Sequence, residues 1–240
     1  MSLLAEALRE QVCRANLDLA ARGLVMGTFG NVSGVDRDAG LFVIKASGVP
    51  YDDLTAEHMV PISLETGLPL DTRFRPSSDT PTHHEIYRAF SCGGVAHTHS
   101  EFATAFAQAR TPVACMGTTH ADYFQGDVPV TRPMTREEVE ADYERNTGLV
   151  IVEAFETLGL SSENVPAALV ANHGPFTWGR DAFEAVERAA VLEYLARMEC
   201  TRRLIAPDAP APAGYLIHKH FSRKHGNDAY YGQKPGPGRS

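Results

Sequence analysis

The chain has 240 residues, 43% of them hydrophobic and 22% charged, a balance that supports a packed core and excludes disordered, collagen-like and coiled-coil classes. Its 22 Lys and Arg against 30 Asp and Glu give a formal charge of -8, and no basic run stands out, which argues against a nucleic-acid partner. No apolar stretch approaches the ~18 residues of a membrane span, and the opening MSLLAEALREQVCRANLDLAARG is charged and helical in pattern, so no membrane partner and a cytoplasmic location are expected.

Leu4, Leu8, Val12, Ala15 and Leu19 recur at helical spacing, which predicts an amphipathic helix from about Leu3 to Arg22, ended by Gly23. The period then changes to two. Asn31 to Val35 and Leu41 to Lys45 flank the turn Asp36 to Gly40 and should pair as a hairpin, and Met59 to Ser63 is a further short strand. Proline in Thr80-Pro81 suits a helix first turn, so a short helix is expected directly after Ser77-Ser78-Asp79. Strand Gly94 to His99, helix Ser100 to Ala109 and strand Thr111 to Cys115 should follow. Thr135 with Glu138 forms a capping box opening a long helix to about Gly159, and Asp181 with Glu184 opens another to about Ile205; between them Ala167 to Ala171 reads as a strand. A Pro/Ala connector, Ala206 to Gly214, precedes a last helix, Tyr215 to His225.

These elements predict one α/β domain, residues 1–233, with a central, mainly antiparallel sheet flanked by helices, and a flexible tail at 234–240. Cys13, Cys92, Cys115 and Cys200 are scattered and form no CxxC pair, a pattern of buried thiols rather than of disulfides or a zinc ribbon.

His97 and His99 close the strand GGVAHTHS, where alternation places both imidazoles on one face, a ready pair of nitrogen ligands. His173, in ANHGPF, stands at another strand exit, where Gly174 allows a sharp turn, and Asp79 at a helix start is a fourth candidate. Three imidazoles with a carboxylate or water suit zinc, although HxH alone also fits two ordinary strand histidines. His58, His83, His84 and His225 read as helix or surface residues. Three loops rich in small donors, Gly27-Thr28-Phe29-Gly30-Asn31, Ala46-Ser47-Gly48 and Pro76-Ser77-Ser78, adjoin strand ends. Any one of them is readable as a plain turn, and together they suit an anion held by hydroxyls and backbone N–H groups.

The ordered set GNVSGVD, IKASGV, RPSSDTPTH, HTHS, GTTHADYF, HGPFTWG and KHFSRKHGNDAYYGQ resembles the class II aldolase/adducin family over nearly the whole chain. Within it the segments are similar to the epimerase branch acting on pentulose phosphates. The resemblance implies ligation of one divalent ion per subunit, zinc above others, by Asp79, His97, His99 and His173. It implies a substrate pocket from Gly30, Asn31, Ser47, Gly48, Ser77 and Ser78. It also implies acid/base roles for Asp122 and Tyr231, and a homotetramer with active sites at subunit interfaces. The aldolases of the family that act on fuculose or rhamnulose phosphates generally carry a glutamate base in the loop before HxH, where this chain has Ser78-Asp79-Thr80.

The implied reaction interconverts L-ribulose 5-phosphate and D-xylulose 5-phosphate. The C4 hydrogen is not next to the carbonyl and is not acidic, so inversion requires retro-aldol cleavage of C3–C4, rotation of the aldehyde fragment and re-addition, with a divalent ion as Lewis acid and two proton-transfer groups on opposite faces. An aldolase releasing its aldehyde is the alternative, and a non-enzymatic adducin-like scaffold is disfavoured by the intact ligand set. With four lysines, three of them in the terminal segment, an imine route is disfavoured, and Lys45 reads as a substrate contact.

Overall fold

The computed structural model describes residues 3–226, 229 and 230, with side chains from residue 6 onward. Tyr231 and the tail 234–240 lie outside the described residues. Strands β1 (Asn31–Asp36), β2 (Leu41–Lys45), β3 (Met59–Ser63), β4 (Gly94–His97), β5 (Ala167–Leu169) and β6 (Pro175–Gly179) form one sheet in the order β3-β2-β1-β4-β6-β5. Every neighbouring pair is antiparallel. The expected single α/β layer structure is thus present.

Around the sheet lie α1 (Leu3–Ala21), α2 (Thr80–Ala89), α3 (Glu101–Gln108), the one-turn α4 (Thr118–Ala121), α5 (Arg136–Leu158), α6 (Ala182–Ile205) and α7 (Gly214–His225). Strand alternation splits the core in two. Val32, Val43, Met59 and Ala96 pack on one face with Val12, Ala15 and Leu19 of α1 and with the first turns of α6. Phe42, Ile44, Val60, Ile62, Val95, Phe176 and Trp178 face the other side, against Ile86 and Tyr87 of α2, Ile151 and Phe155 of α5 and Leu192 of α6. Buried Asn16 fixes α1 on β1: its Nδ2 donates to the Val32 carbonyl at 3.0 Å and its Oδ1 accepts from the Val32 N–H at 2.9 Å.

The caps follow the sequence. The Thr135–Glu138 box is formed in both directions and Gly159 ends α5 in the left-handed conformation. Asp181 accepts from Glu184 N–H, while the Glu184 carboxylate reaches the N–H of Arg180 rather than completing a box on Asp181. Cys13, Cys92, Cys115 and Cys200 are free thiols, the first three buried.

Four local expectations fail. Thr111 to Cys115 is not a strand: Val113 makes one isolated bridge to Val128, and the segment pairs with no strand of the sheet. Strand β4 stops at His97, and Thr98 turns toward α3. β6 lies where the sequence reads as a strand exit, since Pro175 sits at the first position of a strand, where its missing N–H is tolerated. The turn before it uses Asn172 at φ 63°, while Gly174 is required by proximity: a Cβ there would stand 2.8 Å from the Thr98 carbonyl oxygen. Among the described residues no helix is long and apolar enough to cross a membrane.

Candidate active site

The three donor-rich loops and the three singled-out histidines converge on one cavity of about 330 Å³. Gly30, Asn31, Ser47, Gly48, Ser77 and Ser78 line it, together with Asp79, His97, His99 and His173. The sheet explains the convergence. Asn31 opens β1 opposite His97, which closes β4, and His97 is in turn opposite Phe176 of β6. On the far side, Ser47 N–H donates to Arg75 O and Ser77 N–H to Lys45 O, both at 2.9 Å, so the two serine loops run side by side. Gly30 adopts φ 75°, and a Cβ there would meet Val25 at 2.6 Å and the His97 carbonyl at 2.9 Å. Only glycine satisfies that curvature and closeness.

The ligand nitrogens of His97, His99 and His173 lie within 4.8 Å of one another. His97 is buried, its ring stacked on Phe176 at 4.1 Å, and its Nδ1 faces the Pro175 carbonyl at 2.9 Å. A nitrogen facing a carbonyl must carry the proton, so the lone pair of neutral His97 is on Nε2. That Nε2 is 3.1 Å from Nε2 of His99. Two nitrogens at a Zn–N distance of ~2.0–2.1 Å stand about 2.8–3.4 Å apart for angles between 90° and tetrahedral. The buried Nδ1 of His173 has no hydrogen-bond partner, so this ring also fits an ion-binding role. Burial and then His97 lower the His173 pKa to about 3, and the same two causes lower that of His99. Both shifts favour the neutral ring, the form that binds metal. The donor set fits a divalent ion such as zinc.

Asp79 stands beside this trio rather than within it. It occupies the N-cap position of α2, yet its side chain caps nothing there. Instead Oδ2 accepts from Asn31 Nδ2 at 2.6 Å. Burial raises its pKa, but the imidazoles of His97 and His83 and the Asn31 hydrogen bond outweigh that, and the net direction is down. His83, expected on a helix or the surface, is on α2 but fully buried, its Nδ1 2.7 Å from Ser33 Oγ, which lies 2.7 Å from Tyr87 OH. Burial, above all, lowers its pKa to about 3.

Lys45 is only 2% exposed although it lines the cavity. Its ammonium has one long hydrogen bond, to Ala46 O at 3.4 Å, and sits 4.9 Å from the Tyr51 ring centre. Desolvation lowers its pKa. A buried cation with so little compensation attracts an anion.

Two lining residues, Tyr143 and Glu144, are absent from the sequence reading. Asp142 breaks α5 with φ -157° and ψ 81°, and the break delivers the next two side chains to the cavity. No proline or glycine marks it, and the capping box and helical pattern run across it.

Asp122 lies elsewhere. At the end of α4 its carboxylate is gripped by Arg223 of α7, Nη2 to Oδ2 at 2.8 Å, and by His220 Nδ1 at 3.0 Å. Burial pushes its pKa up, the Arg223 and His220 hydrogen bonds pull it down, and the net direction is down. It is not among the residues lining the cavity of its own chain.

A family model described as the class II aldolase and adducin N-terminal domain matches residues 10–200. Among solved structures, an L-fuculose 1-phosphate aldolase is 21% identical with a TM-score of 0.75, covering 90% of this chain and 95% of its own. YgbL of Klebsiella pneumoniae, described as a putative aldolase/epimerase/decarboxylase, is 25% identical with a TM-score of 0.70, covering 90% and 98%. The L-fuculose-1-phosphate aldolase of Thermus thermophilus is 26% identical with a TM-score of 0.65, covering 85% and 98%. With four-fifths of its length matched by the family model, the chain belongs to the class II aldolase and adducin N-terminal domain family.

Proposed function

We propose that the chain is a zinc-dependent pentulose-phosphate 4-epimerase that interconverts L-ribulose 5-phosphate and D-xylulose 5-phosphate. The observation that carries this reading is the pinned Asp79 carboxylate. With Asn31 Nδ2 at 2.6 Å, it is held beside the His97, His99 and His173 cluster, which supports a role as the ligand that closes on a bound ion. It is too constrained to act as the mobile base that an aldolase needs for its C–H proton.

When bound, a divalent ion supplies Lewis-acid stabilisation of the charge that develops as C3–C4 breaks. The chain's residues do the rest. Gly30, Asn31, Ser47, Gly48, Ser77 and Ser78 offer amide, hydroxyl and backbone donors to the phosphate, with Lys45 as the buried cation beside them. Holding the phosphate fixes one end of the two-carbon fragment while its aldehyde turns. The substrate C4 oxygen must lose a proton on one face and gain one on the other, the roles proposed for Asp122 and Tyr231. Asp122 lies outside its own chain's cavity, which supports its delivery by a neighbouring subunit of a homotetramer.

A second reading has its own observation. Glu144 lines the cavity and is a carboxylate available as the base of an aldolase, in line with the likeness to L-fuculose-1-phosphate aldolases. The test is the fate of L-ribulose 5-phosphate with the zinc-loaded chain. Epimer formation without net aldehyde supports the first reading, and release of glycolaldehyde phosphate supports the second.

A further inference from the structure

Tyr51 lies outside the cavity, yet two walls of the cavity meet on it. It opens a short 3-10 turn, Tyr51–Asp53, directly after the Ser47-Gly48 loop, with Pro50 setting the entry. The side chain is buried. Its hydroxyl donates to two carbonyls of the glycine loop, Phe29 O at 3.1 Å and Gly30 O at 2.9 Å. The face of its ring lies 4.9 Å from the Lys45 ammonium. Burial raises the phenol pKa well above its ordinary value, so the O–H stays a donor over the working pH range.

Each contact has a consequence for the cavity. A peptide unit is planar and trans, so its C=O and N–H point in opposite directions. Drawing Phe29 O toward Tyr51 turns the Gly30 N–H away from it. Gly30 also abuts the His97 carbonyl, so the placement of this loop is shared with the strand that carries His97 and with Asn31. An ammonium over an aromatic face is held by the ring quadrupole without being neutralised. The ring therefore holds the Lys45 ammonium beside the cavity without supplying a counter-charge.

We propose that Tyr51 is a positioning residue for anion binding: its hydroxyl sets the Phe29–Gly30 loop and its ring sets the Lys45 ammonium, so that both face one phosphate group. This inference rests on the sugar-phosphate reading and adds a residue that the sequence motifs do not mark.

Two variants separate the contacts. Tyr51→Phe removes the two hydrogen bonds and keeps the ring under Lys45, and Tyr51→Leu removes both. Inorganic phosphate is titrated into the full-length, zinc-loaded chain by calorimetry, and KM and kcat are measured on L-ribulose 5-phosphate. Tyr51→Phe should weaken phosphate binding and raise KM by about 5-fold, with kcat within 3-fold and zinc content unchanged. Tyr51→Leu should weaken phosphate a further 5-fold or more. Wild-type phosphate affinity in Tyr51→Phe, or a loss confined to kcat and melting temperature, would overturn the proposal, as would failure of the wild-type chain to bind phosphate. If Tyr51→Leu does not fold, Tyr51→Phe decides alone. A wild-type chain that binds phosphate but converts no pentulose phosphate would refute the epimerase reading, and the phosphate titration would still decide the role of Tyr51.

Discussion

Asn31 Nδ2 donates to Asp79 Oδ2 at 2.6 Å, tying the first residue of β1 to the N-terminus of α2 within the cavity that the three histidines also line. Asn31 also reaches Ser77 Oγ at 3.1 Å, so one amide orders the proposed metal side and the proposed phosphate side of the cavity. Asn31→Ala should release the Asp79 carboxylate and weaken zinc binding by ~10–100-fold, the usual effect of losing a partner of a metal ligand. Chelator competition measures it. KM for the sugar phosphate should rise in the same variant.

Replacing His97 with Asn should abolish stoichiometric zinc and activity while leaving far-UV circular dichroism unchanged, because β4 is held by ladders to β1 and β6 on both sides. Zinc retained at one per chain by a His97/His99 double variant would contradict the metal assignment.

Phosphate recognition should rest on hydrogen bonds and one buried cation. Ser78→Ala should cost about 1.5–3 kcal/mol in kcat/KM for the phosphorylated substrate, the scale of a hydrogen bond to a charged group. Lys45→Met should raise KM as well. Equal activity on the unphosphorylated sugar would count against this wall of the cavity.

Acid sensitivity follows from buried neutral imidazoles. Burial, the main cause in both cases, lowers His83 to about 3 and His120 to about 4, against ~6.5 in an unfolded chain. Between pH 6.5 and 4 the unfolded state therefore binds more protons than the folded one, and stability falls as pH falls. Two such groups give a slope approaching about 2.7 kcal/mol per pH unit. Urea unfolding of the metal-free chain at pH 7 and pH 5 measures it, and a flat profile would show that these rings protonate in the folded state.

Much of the cavity is legible in the sequence because its chemistry lies in short segments. The HxH spacing at the end of β4 brings His97 and His99 together even though the strand stops at His97, and Gly30, Ser47 and Ser77 sit in the turn segments that the sequence marks. The remainder depends on tertiary contacts that leave no local mark. β6 hides behind Pro175, which reads as a break but begins a strand. Tyr143 and Glu144 enter through a kink at Asp142 inside an otherwise well-patterned helix. The grip of Arg223 and His220 on Asp122 spans about a hundred residues, and only the docking of α7 on α4 creates it.

The grip on Asp122 bears on assembly. Asp122→Asn and Tyr231→Phe should each lower kcat by ~100-fold or more, the scale of losing a general acid or base, with zinc content unchanged. Mixed assemblies of inactive Asp122→Asn and inactive His97→Asn chains should regain partial activity if one chain's Asp122 serves another's histidines. Mixed assemblies that form and stay inactive would mean that each chain builds its own site.

The central claim is that the chain cleaves and rejoins one carbon–carbon bond of a pentulose phosphate. The most direct measurement follows L-ribulose 5-phosphate by carbon-13 NMR during incubation with the zinc-loaded chain, with a chelator-treated control. D-xylulose 5-phosphate should approach equilibrium with no net glycolaldehyde phosphate, and the control should show no conversion. Net release of dihydroxyacetone and glycolaldehyde phosphate, or unchanged substrate with zinc bound, would contradict it.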